Sequence, residues 1–194
     1  EQPVYCQDVG KVTYLDGTEL KERYFVNIAG MGYDAFVTDA INRLKAKGKG
    51  GKSSYLMGLV SCLLKYKALP CKYYVEEKAI EAHVFSLVVA ICQYNGGGMR
   101  QAPKAIPDDG LLDMTVIRKL PKWDVIKNVK NMFSGAFVKH PKVSMFRDEL
   151  IRVEGPSDFR LEVDGEVIGH GPAEFSVIQK ALNAVATGKL IEPD

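Results

Sequence analysis

Short runs in which apolar and polar residues alternate make up most of this chain, and a few stretches change to the spacing of a helix. Alternation with a period of two puts successive side chains on opposite faces of a strand. Apolar residues three and four apart share one face of a helix. The first run, Lys11 to Leu15, leads through Asp16-Gly17 to Glu22–Ile28 and predicts a hairpin. From Asp34 to Ala46 the period changes, with Val37, Ala40, Ile41 and Leu44 on one helical face. Gly48, Gly50 and Gly51 then mark a flexible basic loop, and Ser53 or Ser54 caps a second helix running to about Ala68, before Pro70. A strand pair follows at Lys72–Glu76 and Ile80–Gln93, and Val84 to Cys92 is apolar on both faces, which predicts a central, fully covered strand. After the strand Leu112–Arg118, Pro121 opens a third helix, expected to turn Ile126, Val129, Met132 and Phe133 inward and to use Trp123 as a packing anchor. The remainder reads as strands at Val143–Phe146, Glu149–Glu154, Phe159–Val163, Glu166–Ile168 and Ala173–Gln179. Many strands at hairpin spacing with interposed helices predict an α+β, mainly β domain: an antiparallel, sandwich-like sheet with about three helices packed on it.

With 194 residues the chain can bury a sizeable core, and residues 1–194 read as a single domain. A hydrophobic share of 46% with 26% charged residues is ordinary for a soluble globular protein. A net charge of +2 argues against a nucleic-acid partner, which calls for a markedly basic domain. No stretch approaches the roughly 18 unbroken apolar residues of a membrane span, and no signal peptide is read at the start. Cys6, Cys62, Cys71 and Cys92 form no CxxC pair, so free thiols in a reducing, cytoplasmic setting are expected rather than zinc or disulfides. His83, His140 and His170 are scattered and read as structural. The opening residues resemble mid-protein sequence, which predicts a piece of a longer chain.

The candidate chemistry sits on two acidic turns. Between Ala102 and Asp113 three carboxylates crowd a proline-flanked turn, where Asp109 with the carbonyls of Ile106 and Leu111 could make a compact magnesium site. Asp108 and Asp109 equally suit a plain turn before Gly110. Asp164 and Glu166 flank Gly165. Extended residues two apart share a face, so the pair could divide labour, one holding a metal or ribose and the other taking a proton from a hydroxyl. Asp-Gly is also the commonest tight hairpin turn, and on the residues alone that reading is preferred. Asn95, Gly96, Gly97 and Gly98 follow the central strand, where their amides could meet phosphate oxygens or simply form a loop. Lys45, Lys47, Lys49 and Lys52 make a basic cluster suited to anionic lipid headgroups or to solvent.

Five segments occur in an order that resembles the C-terminal half of the diacylglycerol kinase catalytic family, which includes bacterial lipid kinases and sphingosine and ceramide kinases. They are Phe25–Asp34, Asn95–Met99, Ala102–Ala105, Asp109–Asp113 and Val163–Glu166. The resemblance implies a two-domain enzyme that moves the γ-phosphoryl group of ATP onto a lipid hydroxyl, as on diacylglycerol or a sphingoid base. It implies that this chain is the second domain, sandwich-like and related to that of NAD kinases. The first domain's Gly-Gly-Asp-Gly-Thr nucleotide loop is not found here, so ATP is expected to bind mostly elsewhere and the isolated chain to be inactive. The resemblance also implies Asp109, with the Ile106 and Leu111 carbonyls, as a structural Mg2+ site, and Glu166, in preference to Asp164, as the proton acceptor. Asn95 to Met99 is expected along the cleft, with transient peripheral membrane contact, and a homodimer is left as an option. Two alternatives are a non-catalytic lipid- or protein-binding module and a kinase acting on a nucleotide cofactor such as NAD.

Overall fold

A computed structural model of the chain describes residues 4–46 and 61–185. The opening alternation folds as β1 (Val4–Asp16) and β2 (Glu19–Phe25), paired antiparallel from Gly10↔Phe25 to Asp16↔Glu19. The second predicted strand does not run on to Ile28. It breaks after Phe25 and resumes as β3 (Ile28–Gly32), because the amides of Val26, Asn27 and Ile28 all turn toward the side chain of Asp164. Helix α1 (Tyr33–Ala46) buries Val37 and Ile41, as the spacing predicts. The basic loop at 47–52 and the start of the second helix lie outside the described residues, and 61–65 is helical.

Strands β4 (Leu69–Val75) and β5 (Lys78–Ala90) form the next hairpin. From Val84 to Ala90 every residue of β5 is buried, and the strand pairs with β3, β4 and β8 (Leu112–Arg118), which makes it the predicted centre of the sheet. Between β5 and β8 lie the short strands β6 (Tyr94–Asn95) and β7 (Met99–Arg100) around the glycine loop. After helix α2 (Lys122–Ser134) come β9 (Val143–Asp148), β10 (Leu150–Glu154), β11 (Arg160–Val163) and β12 (Glu166–Val185).

Instead of the two predicted strands at 166–168 and 173–179, β12 is one strand of 20 residues. It changes partner near Pro172, pairing with β11 through His170 and with β10 from Ala173 to Ser176. Proline lacks the N–H of a ladder position, so a change of partner is where a strand can carry one. Every pairing in the main sheet is antiparallel, and the sequence of neighbours β10–β4–β5–β3–β11–β12 returns to β10, so the sheet curls closed on itself. The interior is filled by Phe25, Met31, Tyr73, Leu87, Met114, Phe159 and Phe175 among others.

Helix α2 corrects the sequence-based expectation. None of its residues is fully buried, and Ile126, Val129 and Phe133 face solvent. Trp123 is 72% exposed and anchors nothing. Val125, seven residues before Met132, packs toward Leu63, Tyr66 and Phe85, while Met132 covers Val88, Thr115 and Ile117. Two apolar stripes adjoin on this helix. Periodicity identifies both but cannot say which one the sheet takes.

Gly10 sits directly under the ring of Phe25, which packs edge-on to Phe175 at 6.4 Å between centroids. A methyl group at Gly10 has to displace that ring. Gly10→Ala is therefore expected to lower stability by about 1–3 kcal/mol in urea denaturation. Gly96→Ala, where an added Cβ meets nothing within 4 Å, should change it by less than about 0.5 kcal/mol.

Candidate active site

The two acidic turns are tied to consecutive residues of one strand. Asp8, fully buried in β1, accepts hydrogen bonds from the amides of Gly110 and Lys180, each at 2.7 Å, and its own N–H donates to Pro107 O. That fixes the Asp108-Asp109-Gly110 turn against β1 and β12. Gln7, the preceding residue, donates to Val26 O, and the Val26 amide donates to Asp164 Oδ2 at 2.9 Å. Tyr5 donates to Gln7, and burial first, then the nearby Cys92 and Asp108, push its phenol up. Cys92 in turn lies beside Asp164, and burial first, then that carboxylate, push its thiol up to about 11. Residues more than fifty positions apart in sequence thus meet at one end of the sheet.

Asp164 and Gly165 form the two-residue turn between β11 and β12, closed by the pair Val163↔Glu166. Their φ values of +46° and +88° are those of a tight hairpin turn with both central residues left-handed, which suits an Asp-Gly pair. The hairpin reading of the sequence therefore holds. Asp164 is itself a turn residue and Glu166 opens β12, so the two are not extended residues two apart on one strand. Their surroundings differ accordingly. Asp164 Oδ1 accepts from the amides of Asn27 and Ile28 and Oδ2 from Val26, so its carboxylate is spent on shaping the β2–β3 connection. Glu166 is 66% exposed at its side chain and, among the described residues, pairs only with Arg23, at 2.6 Å, which is itself half exposed. An exposed pair of this kind adds little stability, and the carboxylate can exchange its partner.

Behind this turn lies an acidic pair that the sequence reading missed, Glu162 buried and Asp34 half-buried. Glu162 is buried in β11, and its Oε2 accepts from the Gly165 amide at 2.9 Å. Its other carboxylate oxygen and the Cβ of Asp34 both lie against Gly30, where a side chain on residue 30 would collide with them. Burial, the Asp34 charge and the Asp164 charge push Glu162 up to about 8, against the Gly165 hydrogen bond, which lowers it. Asp34 is likewise pushed up by burial, opposed by hydrogen bonds from Ser86 and from Gln101, the latter at 2.9 Å. Gln101 also accepts from Asn95 at 2.9 Å, which links the glycine loop to the acidic pair. A usable signal is the acid in the middle of Leu161–Val163, flanked on both sides by apolar residues. It is buried because α1 covers that face of β11.

The glycine loop itself turns outward. The Asn95 side chain caps Gly96, while Gly97 and Gly98 adopt left-handed φ and face open space. Gly96, Gly97 and Gly98 are thus exposed, while Asn95 is half-buried. A separate open hollow of about 480 Å³, lined by residues such as Lys72, Glu81, His83 and Pro156, includes none of the residues of the two acidic turns.

The Asp109 turn tests the fit of a metal. Asp109 Oδ1 accepts from Leu111 N at 3.1 Å, and Oδ2 pairs with Arg147, whose Nε also lies 3.1 Å from Asp113. Burial pushes Asp113 up to about 6, partly offset by Arg147. The positive charge that a cation would bring between these carboxylates is already supplied by a guanidinium. Among the described residues no group of three or more His, Cys, Asp or Glu side chains is placed to hold a metal ion. With both oxygens of Asp109 engaged, Asp109 and the Ile106 and Leu111 carbonyls do not present an open magnesium site in this arrangement.

The raised Glu162 carboxyl sets a pH dependence. Below the unfolded value near 4.5 both states hold the proton, and the site is neutral to stability. Between 4.5 and about 8 the unfolded chain releases it while the folded chain retains it, so stability falls as pH rises through that window. Asp34 and Asp113 act in the same direction. Melting temperatures should therefore drop less across the window in Glu162→Gln than in the parent protein, and parallel curves would remove Glu162 as a cause.

Comparison with known proteins was consistent with this architecture. Residues 27–186 match the family described as the YegS C-terminal NAD kinase beta sandwich-like domain. A diacylglycerol kinase of Mycobacterium tuberculosis is 28% identical over 181 residues, which is 92% of this chain and 56% of that protein. A probable YegS-like lipid kinase of Shewanella frigidimarina is 29% identical over 180 residues, covering 88% of this chain and 55% of that protein. The crystal structure of a putative diacylglycerol kinase from Bacillus anthracis superposes with a TM-score of 0.66 at 20% identity, over 94% of this chain and 58% of the other. The chain thus spans a little more than half the length of these relatives. Since the matched region takes in β3 to β12 and both acidic turns, the chain belongs to the YegS C-terminal, NAD kinase-like β-sandwich family of the lipid and diacylglycerol kinases.

Proposed function

We propose that this chain is the C-terminal part of an ATP-dependent lipid kinase that transfers the γ-phosphoryl group to a lipid hydroxyl, as on diacylglycerol or a sphingoid base. The observation that carries the reading is the attachment of both acidic turns to the neighbouring residues Gln7 and Asp8, with Glu166 the exposed carboxylate beside the Asp164-Gly165 turn. The names of the relatives point to the same chemistry.

In this reading Glu166 accepts the proton of the lipid hydroxyl as its oxygen attacks the γ-phosphorus. The bond from phosphorus to the β–γ bridging oxygen breaks, and ADP leaves. A positioned carboxylate base contributes typically 10²–10⁴-fold to such a step. Asp164, held by three backbone amides, aims the turn and takes no proton itself. Arg23 stands beside Glu166, where it can follow the negative charge of the transferring group. The amides of Gly96 to Gly98 line the cleft on the phosphate side, and most of the ATP cradle belongs to a further domain. Phosphoryl transfer depends chiefly on in-line positioning and charge neutralisation, so a second domain supplying the nucleotide and its Mg2+ fits the division of labour. In this reading the enzyme meets its insoluble substrate through transient, peripheral membrane contact. Among the described residues no helix is long and apolar enough to cross a bilayer.

In the full-length protein, Glu166→Gln is expected to lower kcat on diacylglycerol by about 10²–10⁴-fold with KM little changed. Turnover at the parent rate ends the assignment. A magnesium ion at Asp109 has to compete with Arg147. Added Mg2+ should therefore raise the melting temperature of Arg147→Gln more than that of the parent, and equal shifts place no metal at Asp109.

A further inference from the structure

Helix α2 exposes the stripe that the sheet leaves uncovered. Trp123, Ile126 and Phe133 are 72%, 41% and 51% exposed and lie within about a third of the helix circumference. Lys122, Lys127 and Lys130, all exposed, stand within or beside the same arc. The surrounding sequence is strongly one-signed. Residues 118–142 hold six lysines and one arginine against a single acid, Asp124, although the whole chain carries only +2. Such a face needs a partner that is apolar at its surface layer and negatively charged above it. Protein interfaces are depleted in lysine at their centre, whereas an interfacial helix with aromatic residues on one side and lysines at its borders matches a headgroup–acyl boundary. Tryptophan in particular favours that boundary, with its ring in the apolar layer and its N–H at the headgroups.

We propose that α2 is the docking face of this protein for an anionic lipid bilayer, with Trp123, Ile126 and Phe133 entering the headgroup layer and the lysines meeting the lipid charges. The helix packs on β7, and Gly135 at its end touches Arg100 and Pro103, so a bilayer held there lies beside the loop of Gly96 to Gly98. The inference deepens the lipid-kinase reading and rests on it only for why a bilayer is the relevant partner.

Trp123 is the sole tryptophan of the chain, so its fluorescence reports on this face alone. With the 194-residue chain, phosphatidylcholine–phosphatidylglycerol vesicles and no ATP, its emission should shift to the blue and be quenched by brominated lipids. Pure phosphatidylcholine vesicles should act far more weakly. Replacing Lys122, Lys127 and Lys130 by Gln together should weaken vesicle partitioning about a hundredfold. The pair Ile126→Ser and Phe133→Ser should weaken it as well, with melting temperatures little changed because neither side chain is part of the buried core. Water-like Trp123 emission at saturating anionic vesicles overturns the proposal. So does full vesicle binding by both variants, which puts the contact on another face. A blue shift that grows with protein concentration and dimer mass, without lipid, assigns the face to a second copy of the chain and overturns it too. The kinase reading is tested separately, by turnover of the full-length protein on detergent-dispersed diacylglycerol. Vesicle binding without turnover sinks that reading alone, and turnover without α2-dependent binding sinks this one alone.

Discussion

A carboxylate shut away from water is tolerated only where donors surround it, and Asp8 is the place where this fold meets that condition. Two backbone amides from distant parts of the chain converge on its oxygens, and its own N–H reaches Pro107. The arrangement dictates local irregularities on three segments. The β1–β12 register shifts between Gln7 and Val9, Lys180 takes a left-handed φ of +51°, and the acidic turn is held against the strand. Losing the acceptor leaves buried N–H groups unsatisfied at about 1–3 kcal/mol each, comparable to losing a core side chain. The position of the Asp109 turn relative to the Asp164 turn is therefore a property of β1, not of either turn.

The fold manages the negative charge of this region in three different ways. Asp164 is solvated by backbone amides, Asp109 and Asp113 share a guanidinium, and Glu162 retains a proton. Each device removes a carboxylate from availability. Glu166, on the solvent side of the hairpin, pairs among the described residues with the half-exposed Arg23, a partner it can exchange. That contrast, rather than any property of Glu166 alone, separates the two acids of the Val163–Glu166 segment in the proposed chemistry.

Much of this was legible from residue order. The central strand showed as a run apolar on both faces, α1 as a 3.6-residue period, and Asp164-Gly165 as a hairpin turn, because each depends on neighbours in sequence. The misread parts depend on tertiary choices. β12 read as two strands because Gly169, Gly171 and Pro172 interrupt its pattern, yet two different partners bridge the gap. Of the four α2 residues expected to face inward, Met132 does and Ile126, Val129 and Phe133 do not, because only the sheet decides between adjoining stripes. The partners of the acidic turns were invisible for the same reason. Asp8 lies 102 residues from Gly110 and Arg147 lies 38 from Asp109, and nothing local in either segment announces the other.

Closing the sheet leaves β2 and β9 as its lateral borders, since among the described residues each pairs with one neighbour only. A free border is an invitation to add a strand from another molecule, and proteins discourage this by charging it. On β2 the sequence Glu19-Leu20-Lys21-Glu22-Arg23 puts exposed ions of both signs along the open side. Arg23 is one of them, so the residue beside Glu166 also guards the rim against growth into a larger sheet. Replacing it with an apolar residue, however harmless to folding, trades solubility for stickiness at that edge.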